Sequence, residues 1–574
     1  MPGIDGLRQR AGRYLPALLF APLLWLVFVP VAILIVSAFK PTGFLFDPGY
    51  TADHVRDVWL TGEIWRLIWQ SLIFAAGSSV LALFAGGFLA WLTERTDVPG
   101  AGAMRAAMLL PMAMPPFLLA IGWIMLASPR TGALNAAAMN WFGLSFAPFN
   151  IYSMGGMIFV EALALTPSAY LIMAPAFRMI DANLEEAALM AGASRWQVLT
   201  RIILPVMTPA IAGTAIYLVV ISLVVFDVPG TIGIPAGIKL LATHVYDLLN
   251  HAPTGLPDYG PIGAIAMGMM LTLVVLSLVY QRMMKRAGRF VTVTGKASRA
   301  RAFPLGGARK LLAWGVWLFL AVTVAAPLLA LAWTSLLPWQ MPLNAESFAQ
   351  FTLANHGLFL RDPALLKAIW HSLVIAVVAS TFTAVLALLT SWAVVRAKAP
   401  GAALMDILAF LPLAFPGVLI ATALIYVYLT VKPFPVYGTI WIITIAHATV
   451  YLSYASRVTN ASVAQMHPEL EEAARMNGAS WLRTMFRIVA PLALPALVAV
   501  WIWIFAHSLR ELGAALILQG ADNKTVPTLL FAYWTQGQPT KTAAVGVWMV
   551  IVLVALIAIG QGVQRWASQR QAES

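Results

Sequence analysis

Two short segments of this sequence place residue types at a spacing suited to docking: Leu184-Glu185-Glu186-Ala187-Ala188-Leu189-Met190-Ala191-Gly192-Ala193-Ser194 and Leu470-Glu471-Glu472-Ala473-Ala474-Arg475-Met476-Asn477-Gly478-Ala479-Ser480. Each predicts a short helix with paired carboxylates near its positive end, where unpaired backbone N–H groups stabilise them. In the first segment Asn183 is placed to cap that helix with Glu186 three residues on, and in the second Pro468 suits the first helical position. Gly192 and Gly478 then supply the left-handed residue that ends it. Ser194 with Gln197 reads as the capping box of a second helix, whereas Ser480 is followed by Arg483 and keeps only the serine cap. Pro205 and Pro491 mark the turn into the apolar run beyond. A single Glu-Ala-Ala run suits any solvated helix; two complete copies at matching places are what stand out.

The remaining candidates for chemistry are few. Asp227, in Phe226-Asp227-Val228-Pro229-Gly230, and Glu511, in Ser508-Leu509-Arg510-Glu511-Leu512-Gly513-Ala514-Ala515, each place a carboxylate at the outer end of an apolar run. Two readings stand: acids resting at a membrane–water boundary, or, with Arg510, residues of a cargo pathway whose oxygen ligands suit a hard cation. Glu161 and His447 lie inside apolar runs. Either each is satisfied by a neighbouring helix or water, or the two meet and lock one state. No metal site is firmly assigned from these residues, and acidic and imidazole groups are too sparse within the runs to form an acid–base pair. The absence of cysteine excludes disulfides, thiolate nucleophiles and cysteine-held metals. No glycine-rich phosphate loop ending in Gly-Lys-Ser/Thr is present.

The elements that must position these residues are read from composition. Of 574 residues 61% are apolar and 10% charged. Runs of about 20 apolar residues recur, each long enough to cross a bilayer as a helix, and they lack the alternation that a barrel strand needs. The fold class is all-α, a polytopic membrane protein with about twelve spans near 17–39, 65–93, 103–127, 152–177, 206–227, 260–281, 311–335, 368–395, 403–430, 437–458, 492–510 and 542–564. Arg8, Arg10 and Arg13 precede the first span, which reads as uncleaved. With the N-terminus inside, about 25 of the 36 Lys and Arg fall in inner segments, so both termini are expected in the cytoplasm. The formal charge of +13 is then cytoplasmic edge charge and membrane lipid its partner, not nucleic acid.

The second half repeats the first. At an offset of 301, Ser71-Leu72 matches Ser372-Leu373, Arg95 matches Arg396, and Pro111 and Pro115 match Pro412 and Pro416. At an offset of 286, residues 184–210 align without a gap to 470–496 with 14 identities in 27. Six spans per copy is an even number, so the copies share one orientation as a parallel repeat. Fifteen extra residues in the first copy fit best around Thr131 to Asn150. The expected organisation is a lobe at 1–285 with its loop near 181–205, a basic linker at 286–310, and a lobe at 311–574 with its loop near 467–491.

The two loops resemble the EAA loop of binding-protein-dependent ABC permeases: Glu-Ala-Ala, three residues, Gly, nine residues, Ile-x-Leu-Pro. Lobe one holds every position with Glu186-Ala187-Ala188, Gly192 and Ile202-Ile203-Leu204-Pro205. Lobe two gives Glu472-Ala473-Ala474, Gly478 and Ile488-Val489-Ala490-Pro491, with Ala490 in place of leucine. The resemblance implies a type I ABC importer permease in the bacterial inner membrane. Its loops, with Glu185, Glu186, Glu471 and Glu472, would seat on an ABC ATPase homodimer that holds the ATP and Mg²⁺, and a periplasmic substrate-binding protein would deliver cargo. No cofactor is expected on this chain. Ser508 to Ala515 looks like a segment of ferric-iron permeases, with Gly513 where those often have proline. Permeases for thiamine, phosphonate, sulfate and polyamine share the architecture, and an ion-coupled secondary transporter is the rival from another class.

Overall fold

The computed structural model describes residues 19–250, 257–287, 303–341, 345–397, 401–431 and 434–573; among these the backbone is helices and loops, with one isolated bridge between Thr96 and Phe303. Most of the expected linker lies outside the described residues, with Arg289, Lys296, Arg299 and Arg301, as do Arg8, Arg10 and Arg13. In lobe one the helices that matter here are α1 Leu19–Ser37, α2 Gly62–Arg95, α3 Ala101–Ala107, α4 Pro116–Ala127, α5 Met154–Arg178, α6 Ala182–Met190, α7 Arg195–Val224 and α8 Tyr259–Ala287. In lobe two they are α9 Gly306–Ser335, α10 Pro363–Arg396, α11 Ala402–Phe410, α12 Gly417–Tyr426, α13 Ile440–Gln465, α14 Glu469–Met476, α15 Trp481–Arg510, α16 Gly513–Leu518 and α17 Pro539–Glu573.

By length and composition alone the described residues do not reach the expected count of about twelve spans. Among the described residues nine helices are long and apolar enough to cross a membrane, or eleven when each of two bent pairs counts as one span. The expected third and ninth spans are broken, by 91° between α3 and α4 and by 109° between α11 and α12. Pro111, Pro115 and Pro116 break the first and Pro412 and Pro416 the second, because proline lacks the N–H of the helix ladder and its ring strikes the preceding turn. The expected tenth span exists as α13 but is too polar to qualify. Its Thr444, His447, Thr449, Ser453, Ser456 and Thr459 are all buried, so they face other helices and not lipid.

A correction concerns Pro205 and Pro491, which do not turn the chain. Helices α7 and α15 run through them, each with a π-helical turn just before the proline, at Leu199–Ile203 and Met485–Val489. The wider turn makes room for the proline ring that an α-turn would not.

Within each lobe the second span lies along the fourth, α2 on α5 and α10 on α13. A Cβ on Gly86 would stand 2.6 Å from the Ala169 Cβ and 2.8 Å from the Thr166 carbonyl, so glycine is what lets α2 and α5 close up. Between lobes the first spans are exchanged. Helix α1 lies on α12 of lobe two, where Trp25 Nε1 donates to the Tyr428 hydroxyl at 3.1 Å and the Tyr426 hydroxyl donates to the Gly43 carbonyl at 3.1 Å. Helix α9 lies on α4 of lobe one, with the Pro327 ring over Gly122. One core, including Leu34, Phe117, Leu331 and Leu419, therefore runs through both lobes.

Candidate functional site

The two loops fold alike. Glu186 and Ala187, like Glu472 and Ala473, are exposed, while Ala188 and Ala474 are half-buried. Helix α6 begins at Ala182, one residue before Asn183, whose side chain lies outside the described residues. Gly192 and Gly478 have φ of 84° and 75°, the left-handed conformation that ends α6 and α14. Ser194 and Gln197 form the expected capping box, and Ser480 accepts from the Arg483 backbone N–H. Met190 and Met476, at equivalent positions, are 90% and 88% exposed. Each loop thus offers a small, partly apolar face on which the glutamate of its Glu-Ala-Ala run is exposed, joined in lobe two by Glu469.

The other glutamate of each pair turns inward. Arg95, the last residue of α2, ion-pairs with Glu185, and Arg396, the last residue of α10, ion-pairs with Glu471 at 3.5 Å. The same arginines donate to the carbonyls of Ile180 and Met466. Trp392 Nε1 adds a hydrogen bond to Glu471 Oε2 at 3.1 Å. Sequence reasoning noted all four charges as repeat positions but did not connect them. The signal was there: both copies keep one basic and one acidic residue at the same two places.

A second cluster forms where the lobes meet. Glu511 accepts from the backbone N–H groups of Ala514 and Ala515 at 2.7 and 3.0 Å, which makes it the cap of α16. His447 Nε2–H donates to Glu511 Oε2 at 3.1 Å, and the Ser508 hydroxyl donates to His447 Nδ1 at 2.6 Å. Arg510 crosses to lobe one and donates to the Met112 carbonyl, which sits in the break between α3 and α4. It also donates to His507 Nε2 at 2.8 Å, while His507 Nδ1–H donates to the Trp503 carbonyl at 2.8 Å. Asp227 lies within electrostatic reach of Glu511, Arg510 and Glu161.

These positions bear on several expectations. Asp227 and Glu511 interact electrostatically, both are half-buried, and buried Phe226, Val228, Leu509 and Leu512 flank them. Glu161 does not hydrogen-bond His447, whose two ring nitrogens are taken by Ser508 and Glu511; Glu161 is 2% exposed and its Oε2 has no hydrogen-bond partner. His507 accepts a hydrogen bond from Arg510. Among the described residues no group of three or more His, Cys, Asp or Glu is placed to hold a metal ion.

The chain is similar to known proteins along most of its length. A family model described as "Binding-protein-dependent transport system inner membrane component" matches the chain twice, at residues 83–292 and 384–573. A ferric transport system permease protein FbpB of Actinobacillus pleuropneumoniae is 26% identical over 536 residues, covering 92% of this chain and 74% of that protein. A probable ABC transporter permease protein y4fN of Sinorhizobium fredii is 22% identical, covering 96% of each. The molybdenum transport system permease protein ModB of Escherichia coli is 28% identical over 234 residues, 40% of this chain and 99% of that protein.

Proposed function

The chain belongs to the family of binding-protein-dependent transport system inner membrane components, and we propose that it supplies both membrane lobes of an ATP-driven importer of ferric iron. The observation that carries this reading is the duplication: one polypeptide holds two family domains and two equally folded loops, one for each subunit of a separate ATPase dimer. Closing that dimer on ATP would press the loops together and rock the lobes about their shared core, opening the path outward to a periplasmic binding protein. Both termini would lie in the cytoplasm, as the distribution of Lys and Arg favours.

Ferric iron is favoured by the relatives named ferric transport permeases over most of this chain's length and by the neighbouring carboxylates Asp227 and Glu511. Fe(III) is a hard cation that oxygen ligands suit. A second reading, an oxyanion cargo, rests on Arg510 at the lobe junction and on the likeness to ModB. The deciding experiment is to isolate the complex with its soluble binding protein, identify the bound element by mass spectrometry, and follow uptake into proteoliposomes. Iron bound and taken up in an ATP-dependent manner upholds the proposal; molybdate or another oxyanion sinks the ferric reading.

A further inference from the structure

We propose that Arg95 with Glu185 and Arg396 with Glu471 are two clamps that fix each loop to the inner end of the second span of its own lobe, so that Glu185 and Glu471 position the loop instead of touching the ATPase. This rests on reading the loops as ATPase docking sites. Three observations carry it. The clamp occurs twice with the same parts: an arginine at the last position of the second span, a glutamate on the first loop helix, and a carbonyl at residue 180 or its equivalent 466. Both ion pairs are withdrawn from water, with side-chain exposures of 3% and 17% for Arg95 and Glu185, and 12% and 6% for Arg396 and Glu471. Groups so placed hold their geometry because losing either partner strands a buried charge. A surface kept for a partner would leave the glutamates open, as Glu186 and Glu472 are.

The far end of each second span explains what the clamp is for. Ser71 on α2 accepts a hydrogen bond from the Leu241 backbone N–H at 3.0 Å, and Ser372 on α10 accepts one from Val526 at 2.9 Å. Leu241 and Val526 begin the helices that follow the Asp227 and Glu511 segments. Each second span is thus pinned by duplicated polar contacts to the loop at one end and to the acid-bearing region at the other. With 34 residues at about 1.5 Å each, α2 is a strut of roughly 50 Å.

Because the chain has no cysteine, spin labels can be placed singly. With labels at F88C on α2 and M190C on α6, both exposed positions, pulsed electron paramagnetic resonance of the full chain in nanodiscs without ATPase should give one narrow distance distribution. R95M and E185Q should each broaden it, and the charge swap R95E/E185R should narrow it again. In the assembled transporter without labels, R95M should cut transport per ATP hydrolysed about tenfold while ATPase binding is kept, and R95M/E185Q should be no worse than either single change. An unchanged distance distribution in R95M and E185Q would overturn the proposal. So would E185Q weakening ATPase binding where R95M does not, since Glu185 would then be an ATPase contact. The spectroscopic arm needs no ATPase, and the docking reading is tested apart from it by E186K, so the two failures are distinguishable.

Discussion

At the scale of single residues, Glu511 has two jobs that Asp227 does not share. It caps α16 through two backbone N–H groups and receives the His447 imidazole N–H, whereas Asp227 contributes charge beside it. Replacing Asp227 by Asn should therefore change little but charge. Replacing Glu511 by Gln leaves one good acceptor where two backbone donors converge, and should lower stability by about 1 kcal/mol. In D227N/E511Q, uptake of a cation should fall about tenfold relative to wild type at equal ATPase coupling, which is about 1.4 kcal/mol of lost focusing. Unchanged uptake of the genuine cargo would reduce both acids to structural residues. Asp362 offers a separate test at the start of α10. The Tyr533 hydroxyl, then the backbone N–H groups of Ala364 and Leu365, hold its carboxyl below the usual range. A carboxylate with a lowered pKa stabilises the fold above its unfolded value and loses that contribution as pH falls through its folded pKa. D362A should thus cost about 1 kcal/mol at neutral pH, and the difference from wild type in thermal unfolding should vanish in strong acid; a gap that persists there would count against it. Asp227, Glu511, Glu161, His447 and Arg510 were all legible as ionisable residues in or at the ends of apolar runs. Their partners were not, because Ser508 and the Met112 carbonyl carry no mark in the sequence until the chain brings them together.

At the scale of elements, the loops were the most legible feature. Their glycines, serine caps and alanines act locally, within a few residues, which is why spacing alone foretold the bend, the capping box and the weaker cap of lobe two. The inward turn of Glu185 and Glu471 was hidden because it depends on Arg95 and Arg396, about 90 and 75 residues away along the chain. The broken spans were half visible: Pro111, Pro115, Pro412 and Pro416 stood out as repeat matches, yet a hydropathy run does not register a bend of 91° or 109°. With Glu186 and Glu472 as the outward carboxylates, E186K and E472K should uncouple transport by reversing charge on the docking face, weakening ATPase assembly by about tenfold or more. The fold should survive, since both side chains are exposed. Lobe one should be the more sensitive, because Leu204 completes its motif where lobe two has Ala490. Normal ATPase binding and transport in both variants would remove the coupling role.

At the scale of the whole molecule, the sequence repeat foretold two like lobes, and the pairing of α2 with α5 and of α10 with α13 follows it. What the repeat could not foretell is that α1 and α9 cross over. Both are apolar on every side, so periodicity says nothing about which neighbour each will cover. The crossing joins the lobes through a common core, and under the proposed function a complete membrane unit needs only one copy of the chain. Native mass spectrometry of the assembled transporter should accordingly find one copy of this chain for two ATPase subunits; two copies would contradict the proposal.

The junction of the lobes is also where the repeat is broken most usefully. Arg510 is answered in lobe one by Phe226, and Glu161 in lobe two by His447. Two copies of lobe one meeting on a true twofold axis would gather two Glu161 and two Asp227 side chains with no arginine or histidine among them, and two copies of lobe two would gather two Arg510 and two His447 side chains with only the two Glu511 carboxylates beside them. Twin subunits cannot be each other's complement, since whatever one presents the other must present as well. Joined in one chain, the two halves escape that rule: each has been free to drift toward what its counterpart lacks, and the wrong pairing is excluded by covalent connection before any charge has to oppose it.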